Sequence, residues 1–306
     1  MSYSNIITEI AILMVYVFIG YVLRRIKLVS ENGIGDISRI IVNVAMPLLV
    51  LNSMLIEYKE EYVNNILILA LCAVLFMAFT SFISSRIVKY LRGEESQKKA
   101  MHYCMIFGNC AFLGYPICSA LFGPIGMFYA SIYVVIQNFY QWTLGVNIFK
   151  QEKISGANLK NLINPGIVAI TIGLTMFFLD IRPPAIVARV ITGIGNISIP
   201  LALMMIGANL YGYKITEIAT DKSIQAISIF KTLVFPLVLM GVIFFLPIDN
   251  MIKSILTIQA SAPIQASAAV FVKNFRGDSV IPSKGVFLST ILCLATVPLF
   301  LIIINL

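Results

Sequence analysis

Long apolar runs separated by short polar ones recur from one end of the chain to the other. A bilayer core of about 30 Å needs about 20 helical residues to cross it. Ten runs reach that length: 6–23, 36–56, 63–90, 99–121, 125–149, 163–180, 186–210, 224–246, 250–274 and 283–305. Lipid offers no partner for free backbone groups, so each run is expected as a helix. The connections are short and leave no room for a separate soluble domain. The pattern predicts an all-α polytopic membrane protein with ten spans.

Inside these runs the same punctuation occurs twice. Met46-Pro47-Leu48 returns as Ile199-Pro200-Leu201, and Tyr115-Pro116-Ile117 as Ala262-Pro263-Ile264. Matching interruptions in two halves point to a transporter built from an inverted repeat, with its site at the breaks. Five spans per half is an odd number, so two similar halves enter the membrane in opposite directions. The expected repeats are residues 1–155 and 156–306.

Charge sets the orientation. Connections after spans 1, 3, 5, 7 and 9 carry Arg24, Arg25, Lys27; Arg86, Lys89, Arg92, Lys98, Lys99; Lys150, Lys153, Lys160; Lys214, Lys222; and Lys273, Arg276, Lys284. The alternate connections carry only Lys59, Arg182, Arg189 and Lys253. Sixteen against four makes the first set cytoplasmic and puts both termini outside. The start of the chain lacks a positive n-region and a small-residue cleavage site, so span 1 is expected to be retained.

Composition agrees. Hydrophobic residues make up 59% of the chain and charged ones 12%, against about 25% charged in soluble domains. The net charge of +8 is accounted for by the cytoplasmic connections and implies no nucleic-acid partner. Cys72, Cys104, Cys110, Cys118 and Cys293 all fall in apolar runs without metal-ligand spacing. They are expected as small packing residues, and no metal or cofactor is expected.

Span 4 reads HYCMIFGNCAFLGYPICSALFG. Pro116 frees the carbonyl one turn back, Gly108 and Gly114 let the chain deviate, and Asn109 offers a donor and an acceptor at bilayer depth. A merely kinked helix is the competing reading. Span 9 is the repeat partner of span 4, and its IQASAPIQASAAVFV stretch sets Gln259, Ser261, Pro263, Gln265 and Ser267 near mid-span. Two such helices crossing at their breaks bring half-helix ends together, and N-terminal ends favour anions. Lys231 in span 8 is the only charge well inside a span. Either it serves an anionic substrate or replaces a coupling cation, or it snorkels to the surface along its stem. Gln137 and Gln141 share a face of span 5 and either line the path or bond a neighbouring helix. Asn43, Asn52, Asn196 and Asn209 are expected to join helices or sit near their ends. His102 is expected at an interface rather than in a proton relay.

These residues resemble the auxin efflux carrier, or PIN-like, family over nearly the whole chain. AMPLLVLNSM is similar to the family's helix 2, GNCAFLGYPICSALFG to helix 4, INPGIVAITIGL to helix 6, SIPLALMMIGANL to helix 7, KTLVFP to helix 8 and QASAPIQASAAVFVKNF to helix 9. The resemblance implies two inverted five-helix repeats with broken, crossed helices 4 and 9. Helices 1, 2, 6 and 7 would form a scaffold that dimerises, and helices 3–5 and 8–10 an elevator-type transport domain. By motif, Asn109, Pro116 and Pro263 would lie at the crossover; the reading of the spans themselves adds Gly114, Ser261, Gln265 and Gln137 as binding candidates and Lys231 for charge balance. Family substrates are organic anions. The connection from Lys150 to Leu162 is far shorter than the plant proteins' cytoplasmic loop, so the chain resembles microbial members.

The expected function is a secondary transporter moving a small organic anion, such as malate or an auxin-like weak acid, across the plasma membrane. An anion channel or a substrate-sensing receptor is the alternative. An enzyme is not expected, since one histidine and no deep carboxylate supply no catalytic set.

Overall fold

The computed structural model describes residues 3–150, 163–211, 221–275 and 277–304. Lys153, Lys160, Lys214, Arg276 and the expected repeat boundary at 155/156 lie outside them. Among the described residues every regular element is helical, apart from one isolated antiparallel bridge between Gly108 and Ile264. In chain order the helices are α1 Tyr3–Arg25, α2 Glu31–Ile40, α3 Met46–Ser53, α4 Glu60–Ile87, α5 Glu95–Ile106, α6 Tyr115–Tyr140, α7 Val146–Lys150 and α8 Pro165–Phe178. They continue with α9 Ala185–Asn196, α10 Ser198–Leu210, α11 Lys222–Ile229, α12 Phe235–Phe244, α13 Asn250–Ser261, α14 Ala268–Asn274 and α15 Val280–Ile304. Polar residues start some of them: Ser30 Oγ accepts from Gly33 N at 3.0 Å to cap α2, and Glu94 with Gln97 forms a capping box on α5.

Six helical stretches of the described chain are long and apolar enough to cross a membrane: Glu31–Ser53, Glu60–Ile87, Cys110–Phe149, Ala185–Leu210, Lys222–Phe244 and Val280–Ile304. The sequence pattern suggested ten runs; span 1, covered by α1, is not among the six, and the rest of the difference has local causes. Spans 4 and 9 are interrupted mid-way, and span 6 is the 14-residue helix α8. The stretch Cys110–Phe149 holds the second half of span 4 together with span 5, divided at Gly123, whose φ of 63° and ψ of −151° no helix contains.

Among the described residues four single π-turns occur, Ile41–Ala45, Gln141–Gly145 and Phe230–Val234 between α-helical pieces and Cys110–Gly114 between the extended segment and α6. Three of them immediately precede an X-Pro pair, Met46-Pro47, Tyr115-Pro116 and Phe235-Pro236. A proline ring clashes with the carbonyl four residues back. In each case that carbonyl (Asn43, Phe112 or Thr232) lies in the π-turn, whose wider winding relieves the clash. These prolines therefore widen their helices instead of breaking them.

The chain divides into two compact units, one of residues 1–67, 111–132 and 163–212, the other of 68–110, 133–162 and 213–306. In the first, α1 packs along α10, and α3 packs against α8 and α9. Gly20 and Gly207 permit the α1–α10 approach: a Cβ on Gly20 would overlap the Met204 backbone, and one on Gly207 the Val17 carbonyl. Small residues at close helix contacts are the usual device where lipid removes the hydrophobic drive for association. Ile34, Ile41, Met46, Ala202, Met205 and Ala208 form a core there. Thr192 donates to Asn52 Oδ1 at 2.7 Å and ties α9 to α3. Asn43, by contrast, bonds the Arg39 carbonyl of its own helix at 2.8 Å, so it joins no helices. In the second unit α15 is central, packing on α5, α11, α13 and α14.

Candidate binding site at two helix breaks

Both broken helices stop in the second unit. Helix α5 ends at Ile106, and Phe107 turns extended (φ −94°, ψ 119°). Helix α13 ends at Ser261, and Ala262 does the same (φ −51°, ψ 136°). An apolar interior makes unpaired backbone groups costly, and the two extended segments solve this by pairing with each other. Asn109 N donates to the Pro263 carbonyl at 2.7 Å, and Gln265 N donates to the Phe107 carbonyl at 3.2 Å. This is the antiparallel bridge of Gly108 with Ile264. Pro263 has no N–H to satisfy. The Ile264 N–H donates to Ser289 Oγ of α15 at 3.0 Å.

Side chains lock the crossing. The Gln137 amide of α6 grips the Gly108 peptide from both sides, accepting from its N–H at 3.1 Å and donating to its carbonyl at 2.9 Å. Cys110 Sγ donates toward Gln137 Oε1 at 3.1 Å and lies 3.3 Å from the Gln259 carbonyl. Tyr103 donates its hydroxyl to Gln265 Oε1 at 3.1 Å. The Tyr103 ring stacks on Phe271 at 4.7 Å and meets Phe107 at 4.6 Å, which fixes the α5 end of the break.

Lys231 lies in the Phe230–Val234 π-turn and is only 1% exposed. Its ammonium donates to the Ala260 carbonyl at 3.2 Å. It also borders Gly108: a Cβ there would stand 3.0 Å from Nζ and 3.2 Å from the Ala262 carbonyl oxygen. The snorkelling reading is thereby excluded, for the stem carries the charge inward to the crossing. Among the described residues Lys231 is the only charged side chain in the buried set, and no carboxylate pairs with it. The end of α13 explains its place, since last-turn carbonyls carry partial negative charge.

The sequence-derived candidates therefore fall into two groups. Asn109, Gln137, Ser261, Pro263, Gln265 and Lys231 meet in the second unit. Gly114 and Pro116 belong to the first unit. The break in span 4 is thus at Phe107–Asn109, upstream of the proline expected to cause it, because the π-turn Cys110–Gly114 absorbs the Pro116 clash. Asn109 is 5% exposed, and its side-chain amide bonds no described residue. Ser261 turns its hydroxyl back to the Ile258 carbonyl at 3.1 Å. Gln141 is buried with Oε1 unpartnered among the described residues. His102 Nε2 is 3.1 Å from the Ser81 carbonyl, which can only accept, so the ring joins α5 to α4 as an interface residue. Tyr103 and Ser289 escaped the sequence reading. Their signal was slight: a tyrosine one turn before the Gly-Asn pair, and a lone serine in an apolar run.

All five cysteines are free, and no cluster of three or more His, Cys, Asp or Glu side chains that could hold a metal occurs among the described residues. A family model described as membrane transport protein matches residues 5–157 and again 154–301. An uncharacterized transporter of Methanothermobacter thermautotrophicus is 25% identical over 300 residues, 95% of each chain. Another, from Methanocaldococcus jannaschii, is 21% identical over 301 residues, 95% of this chain and 96% of its own.

Proposed function

Because the chain belongs to the membrane transport protein family, that of the auxin efflux carriers, we propose that it is a secondary transporter carrying a small organic anion across the plasma membrane by alternating access. The observation that carries the reading is the bridge between two helix breaks with a buried lysine beside it that pairs with no carboxylate among the described residues. A fixed cation in a low-dielectric interior attracts an anion far more strongly than the same charge in water. Asn109, with an amide that no described residue uses, contributes the directional hydrogen bond to a carboxylate. Lys231 contributes the charge balance.

Lysine on a carbonyl at the end of a half-helix also stands where a coupling cation would bind in transporters of this design. Transport then requires no sodium. No nucleotide-binding motif is legible in the chain, so gradients or membrane potential supply the driving force. The wider architecture follows the same reading: ten spans in two inverted repeats, a dimerising scaffold of spans 1, 2, 6 and 7, an elevator-type transport domain of the remainder, and both termini outside. The twofold match of the family model supports the repeat.

Charge movement on a solid-supported membrane tests the proposal, with proteoliposomes exposed to small mono- and dicarboxylates in sodium-containing and sodium-free buffers. Saturable currents, equal in both buffers, are expected. Currents that grow linearly with concentration would favour a channel. Binding without any flux would favour a receptor.

A further inference from the structure

Away from the helix breaks, the second unit carries two adjoining cavities of opposite character. One, of about 490 Å³, lies where α4 ends and α5 begins. Its walls include Lys89, Lys98, Lys99 and His102, with Ser85 and Asn147 as neutral polar groups and Glu95 as the one acid. None of the three lysines forms an ion pair among the described residues. Lys98 Nζ reaches only the Lys89 carbonyl, at 3.4 Å. Three cations against one carboxylate leave a net positive cup.

The second cavity, of about 620 Å³, is an apolar groove between α4 and α6. Val74, Val135, Ile136, Phe139 and Tyr140 line it, and Phe139 is 52% exposed at its rim. The Tyr140 hydroxyl donates to the Val74 carbonyl at 3.2 Å and pins the two helices along the groove. Leu144 and Asn147 belong to both walls, so cup and groove adjoin there. From Val74 to Ile87, the end of α4, is about 20 Å at ~1.5 Å per residue. One leaflet of a bilayer, with its headgroup layer, is about as thick.

We infer that the adjoining cup and groove form a binding site for one anionic phospholipid, its phosphate among Lys89, Lys98 and Lys99 and an acyl chain passing Leu144 into the groove along α4 and α6. The shared chemistry of the cup is recognition of a phosphate anion. The groove selects the lipid over a free phosphate, because only a ligand with an apolar tail fills both. Basic pockets between transmembrane helices take anionic headgroups in this way. The site is separate from the helix breaks and adds a lipid requirement to the transport reading without depending on it.

The experiment follows the melting temperature of the purified full chain in neutral detergent after adding dioleoylphosphatidylglycerol, dioleoylphosphatidylcholine or inorganic phosphate, with native mass spectrometry counting retained lipid. The phosphatidylglycerol is expected to raise the melting temperature and leave one lipid bound, and the other two additives to do neither. In a Lys89→Gln, Lys98→Gln, Lys99→Gln variant the shift should shrink to that of phosphatidylcholine. Leu144→Trp, which fills the junction, should abolish lipid retention by a change outside the basic cup. Equal shifts from both lipids would overturn the inference. So would a phosphate shift matching the lipid's, which would make the cup a site for soluble anions. Undiminished lipid retention in both variants would place the lipid elsewhere. If the triple variant fails to fold, Leu144→Trp and Lys99→Gln alone decide between the same outcomes.

Discussion

Lys231 is a positive charge that the protein buries beside a helix break without giving it a negative partner among the described residues. On insertion scales a lysine at a span centre costs about 2.5–3.5 kcal/mol. One charge-assisted hydrogen bond to the Ala260 carbonyl returns about 1.5–3 kcal/mol. The two nearly cancel, so the lysine adds little or nothing to stability. Lys231→Met, which keeps the length and removes the charge, is expected to melt no lower than wild type while losing transport. Thermal denaturation in detergent beside a flux assay checks this. A melting point several degrees lower would make Lys231 a structural residue. The charge itself was plain in the sequence as the only one deep in a span. Its direction was not, because a lysine stem reaches inward as readily as it snorkels, and packing against Gly108 decided between them.

At the scale of elements, the breaks depend on Gly108 as much as on the prolines. Its peptide is gripped by Gln137, it lies opposite Ile264, and it leaves little room for a side chain beside the Lys231 amine and the Ala262 carbonyl. The lysine end can give way to an added methyl group, but the carbonyl is backbone and resists. Gly108→Ala is therefore expected to keep its helical content by circular dichroism and to lose about tenfold or more in transport rate. Unchanged transport would show that the lysine position is not critical. The paired prolines of spans 4 and 9 were legible in sequence, and at Pro263 the break falls where it was expected. At Pro116 it does not. Hydropathy and proline spacing look alike for an α-helix, a π-turn and a short extended segment, so only three-dimensional pairing reveals which of them relieves the clash. The count of long spans was obscured for a related reason. An apolar run records burial in lipid, not unbroken winding.

Across the whole molecule, two units use different means of cohesion. The second is held at its centre by hydrogen bonds among polar side chains and backbone. The first relies on small residues, with Gly20 and Gly207 letting α1 and α10 approach closely. Gly207→Ala is expected to lower the melting temperature sharply or prevent folding. Gly193→Ala is the control, since its added Cβ meets nothing within 4 Å. By helix propensity it should be neutral or stabilising by up to about 1 kcal/mol. Fluorescence-detected size exclusion after a heat step distinguishes the two, and equal behaviour would contradict the close-packing account. The helical, membrane-spanning class was readable from hydropathy alone. The contacts of α1 with α10 were not, because a glycine in an apolar run looks the same whether it faces lipid or another helix.

If an organic anion binds at the bridge between the two helix breaks, the wild-type protein exchanges it across a membrane. Counterflow of a radiolabelled carboxylate into proteoliposomes measures that exchange whether or not transport moves net charge. Wild type should accumulate label against the same unlabelled carboxylate inside. Asn109→Ala should fail to do so while retaining the wild-type elution profile and helical content. Full counterflow in Asn109→Ala would contradict a site at the bridge, and an absence of counterflow with every carboxylate in folded wild type would contradict the anion itself.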